Sequence, residues 1–326
     1  MKKIIALLLA AVMVMCLFAG CASSGGSKVI KIGVFEPQSG DNGAGGKQEV
    51  LGIQYANSVK PTVTINGEEY KIELDIQDNQ SSTDKAVSAA QQLVADKVSV
   101  VLGSYGSGVS IAAGTYFANA KIPAIGCSCT NAAVTAGNDY YFRVCFLDPQ
   151  QGKIAGSFVY DNLGFDKAAI LYDVNDDYAL GLKDNFVKVF ESKGGTIVAE
   201  EGYTAGDTDF TAQLTKIKEA QPQIIFTPIF YQDFIMIHKQ ARTLGIEVPM
   251  LGGDGCASEV LFDAADAVDG SYVINHVSLV DPAGDAFRKE YAEKYNGAKM
   301  ELNGYMAHDA FLLWCAAVSY THLTLP

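Results

Sequence analysis

Two glycine-bounded loops and one aspartate hold the residue types best suited to chemistry. The first loop reads Gly103-Ser104-Tyr105-Gly106-Ser107-Gly108, between an apolar run at 98–102 and a helical pattern. Glycines let the backbone turn tightly and approach a ligand. The helix start offers unpaired N–H groups and a positive dipole end, which suit a carboxylate. The next apolar run, 122–126, leads into Gly126-Cys127-Ser128-Cys129-Thr130, with two more hydroxyls. Further on, Gly252-Gly253-Asp254-Gly255 presents Asp254 as a partner for an ammonium group, since a charge-assisted hydrogen bond there is short and strong. Asp176-Asp177-Tyr178 and Phe230-Tyr231 also follow apolar runs. Each has a plain structural alternative: turn glycines, helix caps, an Asp in a turn, aromatics at a core edge.

Catalytic patterns are missing. The first loop runs G-x-x-G-x-G, not the dinucleotide order G-x-G-x-x-G, and no acidic residue ends the following strand. There is no Walker A motif and no G-x-S-x-G elbow. His238, His276, His308 and His322 are scattered without metal-site spacing, and His238 falls on an apolar helix face, as a core histidine does. No cofactor or metal is expected. A formal net charge of −13 argues against a nucleic-acid partner.

The elements that position these loops alternate along the chain. The pattern predicts strands at 30–35, 71–76, 98–102 and 122–126, with helices at 82–97, capped by Ser82 or Thr83, and from Val109 to Ala120. It restarts after Arg143: helices at 151–162, 181–192, 233–244 and around Phe210–Ile217, strands at 168–172, 196–200, 223–229 and 248–252. Repeated βα units imply parallel sheets covered on both faces, and 326 residues suit two such lobes. The fold class is therefore α/β, two doubly wound Rossmann-like lobes. Ligands of such sheets bind beyond the C-terminal strand ends, where the loops above lie.

The N-terminus reads as a targeting segment: Lys2 and Lys3, then an uncharged apolar run from Ile4 to Ala19, too short to span a bilayer comfortably. Leu17-Phe18-Ala19-Gly20-Cys21 resembles a bacterial lipobox, with Cys21 as the lipidated residue and a small polar tether behind it. Phe18 stands where Leu is usual. Of the other cysteines, Cys127, Cys129, Cys145, Cys256 and Cys315 lie beyond this segment; five is odd, and buried free thiols are the expectation.

Many short motifs occur together in order: Ile32-Gly33-Val34 with Ser39-Gly40, Asp78-Asn79-Gln80, Leu102-Gly103 with Ser107, Ile122-Pro123-Ala124-Ile125 and Arg143. Gly206-Asp207-Thr208-Asp209-Phe210 with Leu214, Lys216 and Ile217, then Gln240-Ala241-Arg242 and Gly252-Gly253-Asp254-Gly255, continue the series. Over residues 29 to 318 the chain resembles the branched-chain amino-acid (leucine/isoleucine/valine-type) substrate-binding proteins of ABC importers, of periplasmic-binding protein type I fold. The resemblance implies a non-enzymatic, monomeric receptor whose lobes close on a small amino-acid-like ligand and which docks to membrane permease subunits. It assigns the ligand carboxylate to Ser107 and Thr130 with backbone from Ser128, the ammonium to Asp254, and contacts from the second lobe to Tyr178 and Phe230, or Tyr231 in its place. Gly45 stands where relatives often place an aromatic. That leaves the side-chain pocket roomier, or has a neighbour fill it. Other ligands on the same frame would be an amide, urea, a purine or an aromatic acid; a ligand sensor and a Rossmann-lobe enzyme are the other roles.

The implied organisation is a signal peptide at 1–20, the lipidated Cys and linker at 21–28, a first lobe from 29–147 plus 278–318, and a second lobe at 148–277. Hinges are expected near 145–150 and 275–280. Residues 319–326 have no counterpart in the family and read as non-native, with the family's final strands absent.

Overall fold

The computed structural model describes residues 28–277 and 282–320. Cys21 and its leader, the 278–280 part of the second expected hinge, and residues 321–326 lie outside the described residues. The first lobe opens with β1 (Lys28–Glu36), α1 (Gly43–Val59), β2 (Thr62–Ile65), β3 (Glu68–Asp78) and α2 (Thr83–Ala95). It continues through β4 (Val100–Leu102), α3 (Ser107–Asn119), β5 (Ala124–Gly126) and β6 (Tyr141–Arg143). Its sheet has the order β2-β3-β1-β4-β5-β6, parallel except for the β2–β3 hairpin at the edge.

The second lobe begins with α4 (Asp148–Ser157), which widens into a π-helical turn over Phe158–Asn162. There follow β7 (Lys167–Asp173), α5 (Asp177–Ser192), β8 (Thr196–Tyr203), α6 (Thr211–Ala220) and β9 (Ile224–Thr227). Then come α7 (Tyr231–Thr243), β10 (Met250–Gly252), the short α8 (Ala265–Val268) and β11 (Tyr272–Val273). The order is β11-β10-β9-β7-β8, all parallel. The chain then returns as α9 (Pro282–Lys294) and α10 (Leu302–Ser319). Phe311 and Trp314 of α10 pack under Ile30, Ile32 and Ile53 of the first lobe.

Each sheet is buried on both faces, which explains why its strands read as continuous apolar runs. In the first lobe one face packs against α1 and α10, the other against α2 and α3 through Phe35, Leu93 and Phe117. In the second, Phe210, Phe234 and Ile237 cover one face, Leu182, Phe186 and Phe190 the other. The α/β fold class expected from the sequence holds. Ser82 takes the cap position of α2 but makes no side-chain capping bond. His238 is a core histidine: its ring nitrogens bond Phe234 O and Ser271 Oγ, both at 2.7 Å, and burial holds its pKa down at about 4. Cys127, Cys129, Cys145, Cys256 and Cys315 are free and buried.

Two long helices escaped the sequence reading, as did the short α8. Helix α1 begins with Gly43, Gly45 and Gly46 and carries Gly52, a poor helical signature. Packing demands these glycines. A Cβ on Gly46 would lie 2.0 Å from Pro37 O, and one on Gly52 2.0 Å from Gly304 O of α10. Helix α9 is mostly polar and gives little periodicity.

Candidate ligand-binding site between the lobes

The C-terminal strand ends of both sheets face one another, and there the chemistry-bearing loops meet. After β4, Gly103 and Gly106 adopt φ of 118° and 110°, which glycine alone takes without strain. This turn delivers Ser107 as the first residue of α3, 1% exposed, its Oγ accepting from Asn131 N at 3.0 Å. After β5, Ser128 donates to the Glu49 carboxyl of α1. Thr130 lies deeper, its Oγ1 buried without a hydrogen-bond partner among the described residues. Both Asp148 carboxyl oxygens are likewise unpartnered, and burial pushes Asp148 up to about 8.

The second lobe contributes Asp254, 6% exposed, in the turn after β10. Its Oδ1 accepts from Gln151 Nε2 at 2.7 Å and from the Tyr178 hydroxyl at 2.9 Å. Its Oδ2 lies 3.0 Å from His276 Nε2. Its own N–H donates to Gln151 Oε1 at 2.7 Å, so the turn is pinned at backbone and side chain together. Tyr178, near the start of α5, also accepts from Gly255 N at 3.1 Å. Three side chains, Gln151, Tyr178 and His276, thus fix the orientation of one buried carboxylate.

Ser107, Ser128, Tyr178, Phe230 and Asp254 line a common void with Tyr105. Its volume is about 10 Å³. Thr130 is not part of this lining; it lies beside Asp148. Tyr231 is placed elsewhere. Its hydroxyl donates to Asp41 O at 3.2 Å and accepts from Ala44 N at 3.3 Å, so it fastens α7 to the first lobe and leaves the lining to Phe230. Two further bonds cross between lobes: Tyr105 OH to Gly255 O at 3.1 Å and Asn131 Nδ2 to Asp177 O at 2.6 Å. A larger cleft of about 1040 Å³ lies around α8 and β11. The clamp groups do not converge there, so it is not the site.

The space beside Gly45 is filled by a neighbour, the second outcome foreseen for a glycine there. The neighbour is Tyr105, whose ring carbons would lie 2.7 Å from a Cβ on Gly45. Its backbone N–H donates to Glu36 at 2.6 Å. Behind it, Glu36 and Glu49 are fully buried and close to each other. Burial, then the charge of Glu49, pushes Glu36 well above the carboxylate range; burial pushes Glu49 up to about 7. Glu36, Glu49 and Cys127 bring one ligand atom each within 4.8 Å of one another. Glu36 Oε1 and Glu49 Oε2 have no hydrogen-bond partner among the described residues, while Glu36 holds Tyr105 N and Glu49 accepts from Ser128, so the pair braces both loops.

Sequence reasoning missed Tyr105, Gln151, His276 and the acid pair. Tyr105 sits inside the singled-out glycine loop, and Gln151 and His276 sit beside or within the two expected hinges. Those positions were the available signal. Glu49 went unnoticed with the helix that carries it.

Comparisons with known proteins agree with this architecture. The profile of the periplasmic binding protein family matches residues 29–321. The chain is 30% identical over 279 residues to Leu/Ile/Val-binding protein homolog 1 of Brucella suis, covering 85% of this chain and 74% of that one. Its fold is similar to a crystal structure of the leucine-binding protein LivK of Thermotoga maritima, with TM-score 0.83 and 32% identity over 89% of this chain and 83% of the other. It is also similar to the branched-chain amino-acid transporter substrate-binding protein LivJ of Streptococcus pneumoniae in complex with isoleucine, with TM-score 0.80 and 33% identity over 90% and 85%. With two parallel sheets meeting at a polar void and this similarity along most of its length, the chain belongs to the periplasmic binding protein family.

Proposed function

We propose that this protein is the extracytoplasmic, lipid-anchored receptor of an ABC importer, and that it binds an α-amino acid between its lobes without chemical change. The observation that carries the reading is the meeting of two unlike half-sites on one void. The first lobe offers a helix start and donors suited to a carboxylate: the hydroxyls of Ser107 and Thr130 and the backbone of Ser128, with Ser107 and Ser128 on the void itself. The second offers a carboxylate, Asp254, suited to an ammonium group, with Tyr178 and Phe230 against the remainder. A zwitterion satisfies both halves at once, and neither lobe alone binds both ends. Closure about the crossovers near 145–150 and 275–280 then couples binding to shape, and the closed shape is what the permease subunits read. Relatives named for leucine, isoleucine and valine support the amino-acid class.

Anchoring is supported by the Leu17–Cys21 motif behind an uncharged apolar run. Among the described residues no helix is long and apolar enough to cross a membrane. A Cys21→Ser change is expected to abolish incorporation of labelled fatty acid and to release the protein from the membrane fraction.

A thermal-shift screen of the full chain against the α-amino acids tests the ligand class. A ligand bound at micromolar strength, about −8 kcal/mol, raises the melting temperature when supplied well above its Kd. A flat response across all of them contradicts the reading.

A further inference from the structure

Tyr105 is fixed at both ends. Its N–H is held by Glu36 at 2.6 Å and its hydroxyl by Gly255 O of the other lobe at 3.1 Å. Its ring is 3% exposed, lies 5.7 Å from Phe230 between centroids, and occupies the space that any side chain at position 45 would need. Phe230 in turn packs on Tyr178, 5.2 Å away. The three rings pack in series and all line the void. What remains inside is about 10 Å³, room for about a single water molecule.

We infer that this wall restricts the ligand to the smallest α-amino acids, glycine, alanine and serine, and that Tyr105 is the residue that sets the limit. The inference rests on the amino-acid reading above and narrows it, away from the branched side chains for which the relatives are named. Glycine, alanine and serine ask for the least displacement of the ring wall. A leucine side chain brings three more carbons than alanine, and each must displace part of the ring wall. Displacing Tyr105 breaks its bond to Gly255, one of the contacts that hold the lobes together. Aromatic walls packed to interior density do not yield a methylene at a time, so the larger side chain meets a steric limit.

Calorimetric titration of the full chain with glycine, L-alanine, L-serine, L-leucine and L-isoleucine tests this, on the native protein and on Tyr105→Ala and Tyr105→Leu. The native chain should bind alanine or serine at least tenfold more tightly than leucine. Either variant that folds, as judged by circular dichroism, should shift the leucine-to-alanine ratio at least tenfold toward leucine. Leucine or isoleucine binding the native chain as tightly as alanine overturns the inference and leaves the amino-acid reading standing. An unchanged ratio in both variants overturns the role of Tyr105. Binding of no α-amino acid overturns the reading beneath it.

Discussion

At the scale of single residues, Asp254 holds the most consequential position. It is buried, yet Gln151, Tyr178 and His276 direct both its oxygens and so fix where the ammonium group of the proposed ligand would meet them. Asp254→Asn keeps the size and one acceptor but removes the charge. We expect it to fold and to weaken amino-acid binding by about 2–5 kcal/mol, the usual cost of truncating one partner of a buried charge pair, read by calorimetry. Unchanged affinity removes Asp254 from the ammonium role. Asp254 stood out in the sequence as a glycine-flanked Asp after an apolar run, a pattern that a plain turn also produces. His276 was not, because its partner lies 22 residues away and only the fold joins them. Tyr105 illustrates the same limit. Its loop was read for glycines and hydroxyls, while the direction of its ring is set by the missing side chain of Gly45 on another element.

At the scale of elements, the inner strands and most of the helices that cover them were legible from apolar runs and spacing, because burial on both faces leaves a strong pattern; the short edge strands β2, β6 and β11 were not. Helix α1 was not. Its glycines lower helical propensity, and a helix wedged between α10 and the site loops is buried on too many sides to show a clean stripe. Close approach substitutes for periodicity here. Gly52 meets the Gly304 backbone of α10, where a Cβ would lie 2.0 Å from the carbonyl oxygen. Gly52→Ala should therefore force the two helices apart and lower stability by about 1–3 kcal/mol, in the range of overpacking, measured by urea unfolding. Stability equal to that of the native chain contradicts this packing. The same helix carries Glu49, whose bond to Ser128 ties α1 to the hydroxyl loop. An error in placing α1 thus propagates to the floor of the site, which is why the acid pair was invisible from sequence.

At the scale of the molecule, two features govern behaviour. The first is pH. Glu49 is raised from 4.5 to about 7 in the folded chain, so the folded state holds its proton more tightly than the unfolded state does. Stability from this group is full below about pH 4.5, falls as pH rises toward 7, and is constant above. Glu36 and Asp148 act in the same direction. Glu49→Gln removes that ionisation and the charge that raises Glu36, so the stability lost between pH 5 and pH 8 should shrink by up to about 3 kcal/mol. A melting-temperature profile with the same fall in variant and native chain contradicts the assignment. The second feature is the meeting of the lobes. Tyr105, Asn131 and Tyr231 bridge them through bonds that a hinge motion must make and break. The two-lobe α/β plan was readable from the restart of the βα pattern, and the loops that meet were readable from their position after strands. The contacts that hold the lobes together were not, since each joins residues far apart in sequence.

The central claim is that one ligand bridges two unlike half-sites, a carboxylate on the first lobe and an ammonium on the second. Its most direct test is calorimetric titration of the full chain with the tightest-binding α-amino acid, with the N-acetyl derivative of that amino acid, and with the amine that lacks its carboxylate. The account predicts that both altered compounds bind at least 100-fold more weakly, about 2.7 kcal/mol or more each. Retention of full affinity by either compound contradicts the two-ended clamp.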